Sequence, residues 1–188
     1  MESLKLTTAA LSTIVAAVTL AQPKDSTHEE VDIPQEAVVR LLPTQDSRVH
    51  GLLVLRQQDD GVQVVGRVIG LEPGDHGFHI HEFGDLRDPQ GKSAGGHFNP
   101  DGKKHGGPDA DEHHAGDLGN ITAGSDGTAS VDKLAKDLKL HFVIGRSVVV
   151  HGNADDFESQ PSGDAGPRVS VGVIGFAEVK DPQTGGIE

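Results

Sequence analysis

The sequence contains no cysteine, tryptophan or tyrosine. The absence of cysteine excludes the largest number of possible sites. Without cysteine the chain has no disulfide, no thiolate metal ligand and no cysteine nucleophile, so any metal must be held by histidine and carboxylate groups. Positive charge is also scarce, because 16 Lys and Arg residues against 29 Asp and Glu residues give a formal net charge of -13. That charge repels the phosphate backbone, so we expect no nucleic-acid partner.

The length and the remaining composition indicate one domain rich in strands and turns. A chain of 188 residues can bury a single core, and a hydrophobic fraction of 35% is enough to fill one. The 25 glycines and 10 prolines supply many turn positions, and only 24% of the residues are charged. These features do not favour a helical bundle or a coiled coil.

The first 21 residues have the pattern of a secretory signal peptide. An apolar stretch at 6–20 precedes Ala21, and the small residues Thr19 and Ala21 occupy the two positions that determine cleavage. The stretch is too short to predict a membrane span. We expect a signal peptide at 1–21, a flexible polar leader at 22–36, a folded domain at 37–180 and a polar tail at 181–188, with secretion to the periplasm or the extracellular space.

Short apolar or alternating runs of strand length recur through the folded domain and predict an antiparallel all-β sandwich or barrel. Asp60-Gly61 and Asp126-Gly127 lie between such runs and predict β-hairpins. Two long connections, Phe83 to Gly116 and Gly152 to Pro167, are of a length that is typically functional. The predicted strands are VVRLL from Val38, HGLLVLR from His50, VQVVGRVIG from Val62, GFHIHEF from Gly77, DLGNITA from Asp117, TASVDKL from Thr128, KLHFVIG from Lys139, SVVVH from Ser147 and RVSVGVIGFAEV from Arg168.

Most of the 11 histidines fall between His76 and His151, which directs attention to metal binding. On a strand, His79 and His81 project from the same face, as a two-histidine metal clamp requires, although this motif alone is weak evidence. Imidazole and carboxylate without thiolate suit zinc or copper(II).

Further histidines with the right chemistry follow in the first long connection and at the end of the SVVVH run. A closed zinc site within one loop could be formed by His97, His105, His114 and Asp117. The pair His79 and His81 then needs another nitrogen ligand, for which His151 at the end of SVVVH is the candidate.

Six ordered blocks resemble the copper/zinc superoxide dismutase family over about residues 38–179. They are GFHIHEFGD from Gly77, SAGGHFNP from Ser93, KHGGP from Lys104, HAGDLGN from His114, IGRSVVVHGNADD from Ile144 and GVIGFA from Gly172. The resemblance implies a Greek-key β-sandwich or barrel of about eight antiparallel strands with two long functional loops. It also implies dismutation of superoxide to dioxygen and hydrogen peroxide by a redox-cycling copper, which a histidine bridges to a structural zinc.

Carried over residue by residue, the resemblance assigns the ligands of both metals. Copper would be bound by His79, His81, His97 and His151, and zinc by His97, His105, His114 and Asp117. The shared His97 would bridge the two ions and take part in proton delivery, which makes it catalytic. Asp155 matches the carboxylate that holds one ligand of each metal, and Arg168 matches the arginine that positions the superoxide anion.

The chain departs from the family in two places. The loop between His151 and Arg168 carries four acidic residues and no lysine, so we expect weaker electrostatic steering of superoxide through it. The family's disulfide is missing, and its matching positions are about Gly91 and Val171. Either Val171 packs against apolar neighbours, or the loop is looser and the metals carry more of the stability.

The missing disulfide also bears on the oligomer, because its loop contributes to the interface of dimeric relatives. We nevertheless predict a homodimer, since Phe83, Ile144 and Phe176 are apolar at the matching contact positions. Two rival functions stay open at this point. A copper or zinc carrier on the same scaffold typically lacks copper ligands or the arginine, and a purely structural zinc protein leaves His79, His81 and His151 unexplained.

Overall fold

The computed structural model describes residues 34–178 of the chain. The predicted signal peptide, the predicted tail and all of the predicted leader before residue 34 lie outside the described residues. Within that range no helix is long and apolar enough to cross a membrane.

Eight antiparallel strands form one sheet that curls into a nearly closed barrel, as the sequence predicts. Hydrogen-bonded neighbours follow the order β5-β4-β7-β8-β1-β2-β3-β6, so chain crossovers separate sequential strands as in a Greek key. The two end strands β5 and β6 lie against each other where the barrel almost closes. The strands are β1 Glu36–Pro43, β2 His50–Gln58, β3 Gly61–Ile69, β4 Gly74–His81, β5 Asp117–Ala123, β6 Thr128–Lys136, β7 Ser147–His151 and β8 Arg168–Phe176.

Alternating side chains explain why these segments are strands. Along β2, Leu53 and Leu55 are fully buried, whereas Leu52 and Arg56 face outward. The buried members join one main core inside the barrel. Each such leucine contributes about 1.5–3 kcal/mol relative to an exposed one.

Of the two predicted hairpins, the one at Asp60-Gly61 forms, and the one at Asp126-Gly127 is wrong because β5 and β6 do not pair. Asp59 and Asp60 make the two-residue turn of a regular hairpin, because Gln58 pairs directly with Gly61. The turn before Gly127 joins β5 to β6 at the seam of the barrel, where no ladder continues from it. Gly127 has a φ of 73°, a conformation that favours glycine there.

The prediction of a strand in KLHFVIG is wrong. Leu140–Val143 forms a single turn of α-helix, α1, in the connection from β6 to β7. Leu140 and Val143 are three residues apart and both enter the core, while Phe142 between them is exposed. A short apolar run satisfies either period, and packing against β2 selected the helical one.

The two long connections cover the outer side of the strands that carry the histidines. They run over residues 82–116, which include a short 3-10 helix at Lys92–Ala94, and over residues 152–167. Along β4, Phe78 and Ile80 point into the main core, so His79 and His81 point to the opposite face, where they are also buried. The fold therefore encloses these histidines between the barrel wall and its two long loops.

Candidate metal centre

Four histidines meet on the outer face of the barrel wall that β4 and β7 form. The pairing of these strands brings three of them together, and the first long loop brings the fourth. His79 and His81 lie two residues apart on β4, and His151 ends the neighbouring strand β7. The first long loop returns to β4 through an isolated bridge between His81 and His97. As a result, His79, His81, His97 and His151 each offer a ligand atom within 4.8 Å of all the others.

The outer contacts of two of these rings fix their tautomers. His81 donates from Nδ1 to the carbonyl oxygen of Gly95 at 3.0 Å, and His151 Nδ1 lies 3.3 Å from the carbonyl oxygen of Gly166. Carbonyl oxygens only accept, so each ring carries its proton on Nδ1 and a lone pair on Nε2. The two Nε2 atoms lie 3.3 Å apart, an arrangement that a shared metal ion stabilises.

A second donor set shares His97 with the first. It consists of His97, His105, His114 and Asp117, whose ligand atoms also lie within 4.8 Å of one another. His97 Nδ1 lies 2.7 Å from Asp117 Oδ1, and His105 Nδ1 lies 3.0 Å from Asp117 Oδ2. Backbone amides of Gly106 and His114 donate to Asp117 Oδ2 and hold that carboxylate in place.

Asp155 connects the two donor sets, because its carboxylate accepts a hydrogen bond from one histidine of each. Its Oδ2 accepts from His79 Nε2 at 2.7 Å, and its Oδ1 accepts from His105 Nε2 at 2.9 Å. When the rings are neutral, these bonds leave the lone pair of each on Nδ1. Asn120, which the sequence reasoning missed, positions Asp155 through two reciprocal bonds with its backbone at 2.7 and 2.9 Å. The GDLGN block contains this residue, but its partner lies 35 positions further along the chain.

The residues fit a pair of metal ions. Among the described residues, four buried ring nitrogens make no hydrogen bond: His79 Nδ1, His97 Nε2, His105 Nδ1 and His114 Nδ1. Two of them, His105 Nδ1 and His114 Nδ1, lie 3.0 and 3.3 Å from the Asp117 carboxylate without the geometry of a hydrogen bond. A buried nitrogen without a partner is costly, so four in one cluster require an explanation. All four belong to the two donor sets, and nitrogen and carboxylate donors are those that zinc and copper(II) accept.

Burial prepares the first donor set for metal binding. It lowers the pKa of His79 to about 4 and that of His151 to about 3, because the charged ring loses its hydration, and it lowers the pKa of His81 well below its ordinary value. Neighbouring histidines add to the shifts of His81 and His151. These three rings are neutral at pH 7 and need lose no proton to bind a metal.

The second donor set behaves differently because it contains a carboxylate. Burial opposes protonation of His105, but the adjacent carboxylates of Asp117 and Asp155 outweigh it and raise the pKa to about 9. Burial likewise favours the acid form of both carboxyls, yet hydrogen bonds with His105 and other histidines hold each pKa below its usual range. Without metal, this part of the site therefore retains a proton at pH 7.

Arg168 lies beside the first donor set. Its guanidinium donates to the carbonyl oxygens of Gly91 and Gly95, and the Gly95 oxygen also accepts from His81 Nδ1. Its charge contributes to the low pKa values of His81 and His151. Arg168 makes no ion pair among the described residues, so its charge is available to an anion.

Apolar packing occupies the place of the absent disulfide. Val171 is buried in a small cluster with Ala94 and Val149, separate from the main core. The same loop is tied to β8 by the Arg168 bonds to Gly91 and Gly95. Of the two expectations for this loop, apolar packing of Val171 is therefore the one observed.

The remaining histidines lie outside both donor sets. His76 is buried, and its two ring nitrogens lie 2.9 Å from the carbonyl oxygens of Glu72 and His151. His50 and His141 lie at the surface, and His113 contacts the carbonyl oxygen of His114 rather than a ligand.

An antiparallel barrel with two adjoining buried donor sets that share one histidine defines a two-metal protein. The family model for copper/zinc superoxide dismutase matches residues 49–174, and the chain belongs to that family, whose cofactors are copper and zinc. It is 45% identical over 148 residues to the extracellular superoxide dismutase [Cu-Zn] of Onchocerca volvulus, which covers 71% of this chain and 73% of that protein. The crystal structure of the clock protein EA4 has a TM-score of 0.69 and 38% identity, covering 77% of this chain and 96% of that one.

A second model, the N-terminus of the mating factor alpha precursor, matches residues 3–70. This match spans less than half of the chain and overlaps the first over residues 49–70. The described part of the overlap belongs to the barrel, within strands β2 and β3 and the turn between them. The match assigns the chain to no second family.

Proposed function

We propose that the chain dismutates superoxide, with copper held by His79, His81, His97 and His151 and zinc held by His97, His105, His114 and Asp117. Two superoxide anions and two protons give one dioxygen and one hydrogen peroxide. The single observation that carries the residue assignment is the cluster of unpaired buried ring nitrogens in two donor sets that share His97. Family membership supports the activity.

When bound, copper supplies one-electron exchange with superoxide, and zinc, which has no redox chemistry, supplies charge and order. The residues contribute position, charge and protons. The Arg168 guanidinium donates to the Gly95 carbonyl but forms no ion pair among the described residues. It can therefore hold a small anion beside the first donor set. His97 Nε2 is buried without a partner, and at this atom the ring can hold a proton and donate it to a bound anion.

Asp155 and the backbone carbonyls act on orientation. Each of these oxygens accepts the N–H of one ligand ring. The lone pairs of His79, His81 and His151 therefore face one another across the site. A metal carrier must release its ion, and a rigid, fully buried donor set opposes release. This supports the enzyme over the carrier.

The homodimer is part of the same proposal. Of the apolar residues predicted at the contact, Phe83 and Phe176 are 56% and 45% exposed, whereas Ile144 is partly buried against the main core. Val173 on β8 is also 37% exposed, and an exposed apolar patch marks an interaction site. Gly84, the residue after Phe83, lies against both the Gly145 backbone and Val173, so Phe83 and Val173 belong to the same region of the surface. Sedimentation should give a dimer for the wild type and a monomer for Phe83→Glu. A wild-type monomer contradicts this part of the proposal.

We also propose that the protein is secreted and acts outside the cell. The sequence pattern of a signal peptide at 1–21 and the extracellular relative support this location. Expression with the native N-terminus should release a chain that begins at Gln22, which N-terminal sequencing of the culture medium measures. Retention of residues 1–21 on the secreted protein contradicts the cleavage site.

The deciding test of function is superoxide decay by protein reconstituted with copper and zinc. We expect fast decay that His151→Ala reduces at least a hundredfold, because this change removes one ligand nitrogen of the first set. His50→Ala, which removes an exposed histidine of β2, is the matched control and should leave the rate unchanged. No decay beyond that of free copper would favour the metal carrier.

A further inference from the structure

A cavity of about 430 Å³ lies on the outer side of Arg168. It is formed by Thr44, Gln45, Gln90, Lys92, Gly166, Pro167 and Arg168. The cavity adjoins the first donor set, because the Gly166 carbonyl contacts His151 and the Arg168 guanidinium shares the Gly95 oxygen with His81. An anion held in this cavity therefore lies next to the Arg168 side chain.

Lys92 and Arg168 are the two charged residues that line this cavity. Lys92 is exposed on the short 3-10 helix and makes no ion pair in the described part of the chain. Arg168 is the nearer of the two to the donor set, because its guanidinium and His81 Nδ1 donate to the same Gly95 oxygen.

The surroundings give Lys92 particular weight. The chain has a formal net charge of -13, and residues 152–167 beside the cavity carry four acidic residues and no cation. One of the four, Asp155, is buried between two ligand rings, and Asp156 bonds to Ser159. Asp88 is the carboxylate whose charge reaches Arg168, and it accepts bonds from the backbone amides of Gln90 and Lys92.

We propose that Lys92 is the steering residue of this enzyme, the cation that draws superoxide into the cavity where Arg168 receives it. Superoxide dismutases are themselves a known case of electrostatic steering, so the new element is the source of the charge. It comes from the 3-10 helix of the first loop, while the second loop supplies none. This inference rests on the proposed function.

The test compares Lys92→Gln, Lys92→Glu and Lys92→Arg with the control Lys139→Glu in the metal-loaded protein. Lys139 is exposed, its side chain caps no helix, and it lies beside a different cavity with Gln58 and Asp59. At low ionic strength the second-order rate constant should fall about twofold for Lys92→Gln and about fourfold for Lys92→Glu. Lys92→Arg should retain the wild-type rate, and Lys139→Glu should change it much less than Lys92→Glu.

Salt and a second anion separate steering from a structural effect. All rates should converge near 1 M salt, where the Debye length is about 3 Å. The dissociation constant of azide for the copper-loaded protein, followed by visible absorption, should rise in Lys92→Glu and stay unchanged in Lys139→Glu. Equal losses in the two charge reversals, or a loss that salt does not remove, would overturn the inference. An inactive wild type contradicts the proposed function instead, and the azide titration still tests Lys92.

Discussion

Replacing Asp155 by alanine tests the link between the two donor sets. The carboxylate accepts charge-assisted hydrogen bonds from His79 and His105, and Asp155→Ala removes both at once. The consequences differ because the two rings are held differently. Both side chains are fully buried, but His79 lies on strand β4, whereas His105 lies in a loop without regular secondary structure. We therefore expect zinc to be weakened more than copper.

The magnitude follows from the bonds that are lost. A hydrogen bond to a charged group contributes about 1.5–3 kcal/mol, and 1.4 kcal/mol corresponds to a factor of ten in affinity. Loss of one such bond at His105, whose loop restrains the ring less than a strand does, predicts a zinc dissociation constant raised about 10- to 100-fold. For copper we expect about tenfold or less, because β4 still orients His79.

Competition with a chromophoric chelator measures both dissociation constants on the same preparation. Asp156→Ala is the matched control, since it removes a neighbouring carboxylate whose bonds stay within its own loop. Its zinc and copper affinities should equal those of the wild type. The reasoning is refuted if Asp155→Ala weakens copper more than zinc, or if it leaves both affinities unchanged.

Three further predictions concern the metal-free protein. Its stability should fall as the pH is lowered from about 6.5 towards 4, because His79 and His151 have folded pKa values of about 4 and about 3 and take up protons on unfolding, each adding up to about 1.4 kcal/mol per pH unit. Zinc binding at pH 7.5 should release about one proton, because His105 has a pKa of about 9 and its protonated ring must lose the proton on Nδ1 to bind the metal. In the metal-free protein, the stability that this proton confers is lost as the pH rises through about 9. Val171→Ala should lower the free energy of unfolding by about 2 kcal/mol, because it opens the small cluster that replaces a disulfide.

Each of these has a direct measurement and a contrary outcome. Thermal unfolding over pH 4–7 reports the first, and a flat profile contradicts it. Calorimetry of zinc binding in two buffers with different ionisation enthalpies counts the protons, and zero protons at pH 7.5 contradicts the second. Urea unfolding measures the third against Val65→Ala on the outer face of β3, which should cost less because Val65 is only half-buried. A reducing agent should affect neither variant.

Sequence patterns predicted most of the barrel because its strands alternate strongly enough to be identified locally. Burial along β2 follows the alternation of HGLLVLR, and DLGNITA matches β5 residue for residue. The exception was KLHFVIG, where the apolar positions Leu140 and Val143 fit more than one period. The choice between a strand and a helical turn there depended on β2, which is distant in sequence.

The sequence by itself determined which side chains could bind metals, because absence of cysteine and the spacing of the histidines leave few other donors. Only the tertiary structure decided which nitrogen of each ring faces the site, since that depends on acceptors such as Asp155 and the Gly95 carbonyl, which belong to other segments of the chain. It likewise decided that Val171 packs against Ala94 and that Lys92 shares a cavity with Arg168. Local pattern specifies what a residue can do, but its partners come from segments that only folding brings together.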